Sequence, residues 1–516
     1  MASPSEKLAQ SLGILKTLQD KGVVAIRARD LTRTHRERLL NNGFLQEVMK
    51  GWYISSRPDE ESGDSTAWYT SYWDFCASYL QTRFGFKWCL SPEQSLSLHA
   101  GNQTVPKQLF VRAPKARNQV TPFPYDTSLF ESRSSLPGKD NVVEYNGLQL
   151  FTLPSALIAC PSRFYTQNPT DIRTALAMIR DSSEILEPLL NGGHSTIASR
   201  LASAFRNIGR SKIADEISDT MRSAGYDIRE RENDPFKDTS PIALPLREPS
   251  PYVNRIRLMW HSMREPIIES FPESPGKVKK VTHYLKEVED AYTTDAYHSL
   301  SIEGYRVSQE LIERVKSGNW NPDDEGYKKT RDALATRGYW QAFQAVKKSL
   351  QKTLKGKNSG TVADDDHRDW YRELFSPGVT AGIIKPADLA GYRNSRVYLH
   401  RSMHTPPAED AVRDLMPVFF ELLAKEKNSA VRVVLGHFIF VYIHPYMDGN
   451  GRLGRFLMNV MLAGGGYPWT IIPVSLRDTY MDALEEASVN QDIIPFTNFL
   501  AQLVNDRMEG KEIPSA

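Results

Sequence analysis

The run HPYMDGNGRLGR, from His444 to Arg455, gathers a histidine, an acid, three glycines, an asparagine and two arginines within twelve positions. Asp448-Gly449-Asn450-Gly451 precedes an apolar-periodic stretch, which predicts a tight loop at a helix N-terminus. Glycines there let backbone N–H groups converge on one point, and the helix dipole adds positive potential, which together make a phosphate nest. Arg452 and Arg455 are three apart, share a helix face and can flank the same anion. Asp448 offers a hard oxygen ligand suited to Mg²⁺ carried in by a nucleotide diphosphate. His444, its backbone restrained by Pro445, has the pKa range of a general base. Eight defining positions at roughly one in twenty each make a chance match far rarer than one in a million chains.

Helices must position these groups. Apolar residues fall on helical faces from Ala408 to Lys425, with Pro417 a local irregularity, and from Ser429 to Ile443, where the helix is apolar nearly all round. That second helix should end at His444-Pro445, because the residue before proline is pushed out of the α region. A new helix starts near Asn450 and is stopped by Gly464, Gly465 and Gly466. Helical patterns dominate from residue 252 onward, so the C-terminal half reads as all-α. Upstream of it, residues 229–251 are rich in proline and charge and read as a linker.

The N-terminal half differs. A helix is predicted up to Gly22, a second from Val23 to Leu31, and a third after a Thr32 cap to Gly43; GFLQEVMKGWYI then alternates as a hairpin around Lys50-Gly51. Three small helices and a hairpin outline a winged helix-turn-helix over residues 1–60, with Arg33, Arg36 and Arg38 as candidate DNA contacts. This segment resembles the winged helix of AbiEi-like antitoxins and related bacterial regulators. Residues 61–228 mix probable strands, KQLFVRA and GLQLFTL, with helices and read as a mixed α/β domain without a catalytic constellation.

The 516 residues, 40% hydrophobic and 24% charged, imply a multidomain globular protein, and the net charge of +2 leaves any polyanion partner to a local patch. Cys76, Cys89 and Cys160 form no CxxC and read as reduced, buried thiols. The N-terminus lacks an apolar secretory core, and the most apolar run, Val433 to Ile443, is interrupted by His437 and too short to span a membrane. The expectation is a cytoplasmic protein with no membrane partner.

The motif matches HPFx(D/E)GNGRxxR, the signature of the Fic family, with Tyr446 where phenylalanine is usual, and the resemblance extends from about Asp290 to Leu503. It implies a Fic domain over 252–516 with its core at 380–505, and transfer of AMP from ATP, with Mg²⁺, to a Ser, Thr or Tyr hydroxyl of a protein target. His444 would take the hydroxyl proton, Asp448 would hold Mg²⁺, and Gly449, Asn450, Gly451, Arg452, Leu453, Gly454 and Arg455 would cradle the phosphates. The intact GNG favours AMP transfer over phosphorylation. Upstream, YRNSRVYLHRSMHTPP alternates like an exposed strand or hairpin and is similar to the Fic flap, which holds an extended target by strand addition. The resemblance places Arg401, Ser402, Met403 and His404 nearest the nucleotide.

Downstream, SLRDTYMDALEEASVNQD resembles the adenine-side helix, with Tyr480 near the base or ribose; Ser488 stands where many relatives carry asparagine, and Asn490 lies two residues on. Far from the motif, SLSIEG matches the inhibitory signature (S/T)xxxE(G/N) at Ser299, Glu303 and Gly304. Glu303 would pair with Arg455 in the place of the γ-phosphate, a direct electrostatic competitor. Two other functions stay open on the same residues: a DNA-binding transcriptional regulator with a self-modifying or nucleotide-sensing Fic domain, and removal of AMP from a modified target. DNA and a second copy of the chain stay open as further partners.

Overall fold

The computed structural model describes residues 3–58, 64–229, 235–236, 250–319 and 327–511. Two compact units emerge, Met1–Arg255 with Tyr398–Thr405, and Ile256–Val397 with Pro406–Ala516.

In the first unit, helix Pro4–Asp20 starts on a Ser3–Glu6 capping box, in which each side chain bonds the other residue's backbone N–H. The expected second helix is absent. Its stretch forms strand β1, Ile26–Arg27, and a 3-10 turn, Ala28–Asp30. The β-branched run before Arg27 favours pairing, and Asp30 closes the turn by accepting from Arg27 N at 2.8 Å and Arg27 Nε at 3.1 Å. Helix Arg33–Asn41 follows the Thr32 cap, and strands β2, Leu45–Met49, and β3, Trp52–Ser55, form the hairpin around Lys50-Gly51. The three strands lie in the order β1-β3-β2.

The candidate DNA contacts look different in three dimensions. Arg36 donates to Ala28 O at 2.9 Å and lies over the Tyr53 ring. Arg38 donates to Lys7 O at 2.8 Å and Ser11 Oγ at 2.9 Å, so both tie elements of this segment together. Arg33 is exposed and paired with Glu37 at 2.6 Å.

Beyond it, β4 (Cys89–Leu90), β5 (Gln108–Ala113), β6 (Gln119–Pro122) and β7 (Ser128–Arg133) form a sheet in the order β4-β5-β7-β6, with β5 and β7 parallel. Strands β8 (Val142–Tyr145) and β9 (Leu148–Phe151) make a separate hairpin. Trp68, Tyr72, Phe75 and Phe123 pack edge to face at the centre of a core that also takes in Val48 and Ile54 from the preceding hairpin. All three cysteines are buried and free. Most of the expected linker lies outside the described residues, although Phe236 within it is buried against Tyr165.

The segment Tyr398–Thr405 forms no strand, which corrects the expected flap hairpin. Arg401 adopts a left-handed φ of 57°, and Pro406 and Pro407 bring no N–H to a ladder. Met403 O accepts from Val105 N at 2.9 Å, Arg401 N donates to Thr66 Oγ1 at 3.1 Å, and His400 Nε2 lies 2.6 Å from Asp64 Oδ2.

Among the described residues of the second unit, every regular element is a helix. Helices Tyr327–Leu354 and Ser359–Thr380 pack together beside a central pair, Ser429–Ile443 and Asn450–Gly465. The Asn428 side chain caps the first central helix by accepting from Val431 N at 3.2 Å, and nearly every side chain along it is buried. Among the described residues of the chain, no helix is long and apolar enough to cross a membrane.

Candidate active site

The Ser429–Ile443 helix ends where Pro445 forbids another turn, and His444 takes the left-handed conformation with φ 52° and ψ 61°. Arg393, which nothing in the motif announces, holds this unusual corner. Its guanidinium donates to His444 O at 2.8 Å and Ile443 O at 3.4 Å, and also to Pro407 O, while its own N–H reaches Pro445 O at 2.9 Å. His444 Nδ1 lies 3.3 Å from Val441 O, a geometry that favours a proton on Nδ1 and a lone pair on Nε2.

Burial pushes the His444 pKa down to about 4, with the Arg393 charge adding to the shift. The ring is therefore neutral at neutral pH, the state a base requires. The same depression means that the unfolded chain takes up the proton first, so stability contributed by a neutral His444 declines as pH falls from about 6.5 toward 4. Any reaction using this base should keep its rate from neutrality to about pH 5.5 and lose it only nearer pH 4. A pH–rate profile with its acid limb near 6.5 would contradict that.

The loop after His444 is pinned by Asn450, whose amide accepts from Tyr446 N at 2.9 Å and donates to Tyr446 O at 2.8 Å. Tyr446 stacks on Tyr371 with ring centroids 3.9 Å apart, so tyrosine fills the place of the usual phenylalanine; its hydroxyl is buried without a hydrogen-bond partner. Gly449 adopts φ +82°, and a Cβ there would sit 2.7 Å from the Phe375 ring. Gly449→Ala is thus expected to lower stability by about 1–3 kcal/mol, measured as denaturant unfolding.

Helix Asn450–Gly465 then presents both arginines to one region. Arg455 is buried; its Nε donates to Ser299 Oγ at 2.9 Å, and its Nη2 to Ser299 O at 3.0 Å and Glu303 Oε1 at 2.8 Å. Its Nη1 has no partner. Burial alone would lower the Arg455 pKa, but the Glu303 charge raises it overall. The Glu303 carboxylate lies directly against Gly451, in space that a Cβ on that glycine would take. Arg452, 2% exposed, sets Nη2 3.3 Å from Asp448 Oδ2, while Asp448 itself is 62% exposed.

Glu303 is delivered by helix Tyr292–Ile302, which Gly304 ends at φ +82°. Asp295 on this helix accepts from Tyr339 at 2.7 Å, and Arg477 Nε donates to Ile302 O at 2.9 Å, so both ends are tied to the unit. Ser299 and Glu303 are thereby brought to Arg455, from which they lie 156 and 152 residues away in sequence, with Asp448 and Arg452 beside it.

Gly454 abuts Val441 and His437 on the neighbouring helix, and Leu453 is buried, so both serve helix packing. Tyr480 is almost wholly buried, its hydroxyl 2.7 Å from His437 Nε2 and close enough to feel the charges of Arg455 and Glu303. Burial pushes the His437 pKa down to about 3, so this ring too is neutral. Ser488 is buried, and Asn490 donates to Glu486 at 2.6 Å. Arg401, Ser402, Met403 and His404 group with the first unit. Sequence reading gave no role to Arg393, Phe375, Tyr305 or His437, although Arg393 lies in the flap-like segment and Tyr305 directly follows Gly304.

The donors fit the groups this loop implies. Unpartnered guanidinium N–H groups at a helix N-terminus suit phosphate oxygens. One exposed carboxylate is a donor set that suits Mg²⁺, which keeps several waters and takes its other ligands from substrate phosphates.

Residues 364–462 match the Fic/DOC family. The chain is 29% identical over 224 residues to a protein adenylyltransferase Fic of Drosophila willistoni, covering 43% of this chain and 41% of that protein. It is 30% identical over 222 residues to the protein of the same name in Culex quinquefasciatus, covering 42% and 41%. The chain thus spans about two-fifths of the length of these curated relatives. Among solved structures it is similar to Fic-1 (residues 134–508) from C. elegans, at 18% identity and a TM-score of 0.37, covering 70% of this chain and 97% of that one.

Proposed function

We propose that the C-terminal unit is a protein adenylyltransferase that moves AMP from Mg²⁺-bound ATP to a Ser, Thr or Tyr hydroxyl of a protein, restrained by Glu303. The observation that carries this reading is the pairing of a neutral His444 with a glycine loop whose two buried arginines keep unpartnered N–H groups. In the transfer, His444 Nε2 accepts the hydroxyl proton as the hydroxyl oxygen bonds to the α-phosphorus. The bond from that phosphorus to the bridging oxygen breaks, and pyrophosphate leaves. Arg452, Arg455 and the N–H groups at the start of helix Asn450–Gly465 offset the charge growing on the leaving group. Asp448 would hold Mg²⁺, whose charge would add further neutralisation there.

In this reading Glu303 is the brake. Its carboxylate takes an Arg455 Nη2 N–H that the terminal phosphate needs and repels that phosphate. The protein should be supplied with ATP labelled at the α- or the γ-phosphate, using Glu303→Gly and added hydroxyl-bearing protein. Covalent label from the α position alone supports AMP transfer. Label from the γ position, or none from either, overturns it.

A further inference from the structure

Arg452 is held by more than its ion pair. Its guanidinium carbon lies 5.2 Å from the centroid of the Tyr305 ring and 5.2 Å from that of Phe375. The Arg331 guanidinium lies 5.3 Å from the same Tyr305 ring. Arg452 Nε and Nη2 make no hydrogen bond, and the Asp448 carboxylate meets Nη2 at ion-pair distance only. A buried guanidinium with so few directed bonds takes its orientation from the aromatic faces around it.

Tyr305 reaches that place by the same turn that carries Glu303. Gly304 ends the helix, and Tyr305 N returns to Leu300 O at 3.1 Å, which fixes the Tyr305 backbone to the helix end. Glu303 can therefore leave Arg455 by side-chain rotation while Tyr305 stays against Arg452. We infer that Tyr305 is a positioning residue for the nucleotide: it holds the Arg452 guanidinium in the plane that receives phosphate oxygens, so one helix end both blocks the site through Glu303 and supports it through Tyr305.

This inference rests on the reading of the loop as a nucleotide site, and the test separates the two. ATP affinity is measured calorimetrically on the full chain carrying Glu303→Gly, then on the same chain with Tyr305→Phe, Tyr305→Leu or Tyr305→Ala added. Phenylalanine keeps the ring face and should bind within about twofold of the parent. Leucine fills the space without the ring's quadrupole, and it and alanine should each weaken ATP binding about tenfold. The KM for ATP in transfer should rise in parallel, with kcat changed less. Leucine binding as tightly as phenylalanine, at an unchanged melting temperature, reduces Tyr305 to packing and overturns the inference. Failure of the parent Glu303→Gly protein to bind ATP overturns the nucleotide site itself and the inference with it.

Discussion

With His444 replaced by alanine, AMP transfer should fall by about 10²–10⁴-fold while ATP binding changes little. The asymmetry follows from where the ring sits. Its Nδ1 faces Val441 O and its Nε2 is left with the lone pair, so the side chain accepts a proton and makes none of the contacts assigned to the phosphates. Removing it deletes the base and leaves Arg452, Arg455 and the loop in place. Transfer measured as α-phosphate label on protein and binding measured calorimetrically should therefore separate by at least two orders of magnitude. An equal loss of both would mean that His444 shapes the loop. Arg393, which holds the His444 backbone, is the residue that should behave that way.

Glu303→Gly should act in the opposite direction. The Glu303–Arg455 contact is a charge-assisted hydrogen bond of 2.8 Å on a buried guanidinium, a class worth about 1.5–3 kcal/mol. In the proposed function ATP displaces it, so its loss should tighten apparent ATP affinity about 10–100-fold and raise labelling at low ATP by a similar factor. Glutamine at the same position keeps a weaker acceptor without the charge and should fall between the two. Unchanged affinity in the glycine variant would mean that the nucleotide leaves Arg455 alone.

The site was legible in sequence because its parts are local. His444 to Arg455 is one helix end, one loop and one helix start, and SLSIEG is one helix end with its glycine stop. The supporting groups were not legible, because each depends on which face of a distant helix turns inward. Arg393 lies 51 residues before His444, and Tyr305 is marked only as the residue after Gly304. Two expectations failed for backbone reasons. The alternation in VYLHRSMH looked like a strand, but Arg401 turns left-handed and two prolines follow. The stretch Val23 to Leu31 looked helical, yet Ile26 pairs with Tyr53 across the sheet and Asp30 locks a short turn. The basic residues of the third helix counted as a charged face, whereas Arg36 and Arg38 each reach a backbone carbonyl within their own segment.

In the proposed function, His444 is the base on a nucleotide cradle that Glu303 keeps closed. The most direct measurement compares Glu303→Gly with the double variant Glu303→Gly, His444→Ala, each incubated with ATP, Mg²⁺ and a protein carrying exposed hydroxyls, and reads intact mass. The single variant should yield the mass increment of one AMP and the double variant none, at equal ATP binding. AMP attached to the same extent by both proteins would contradict that role of His444.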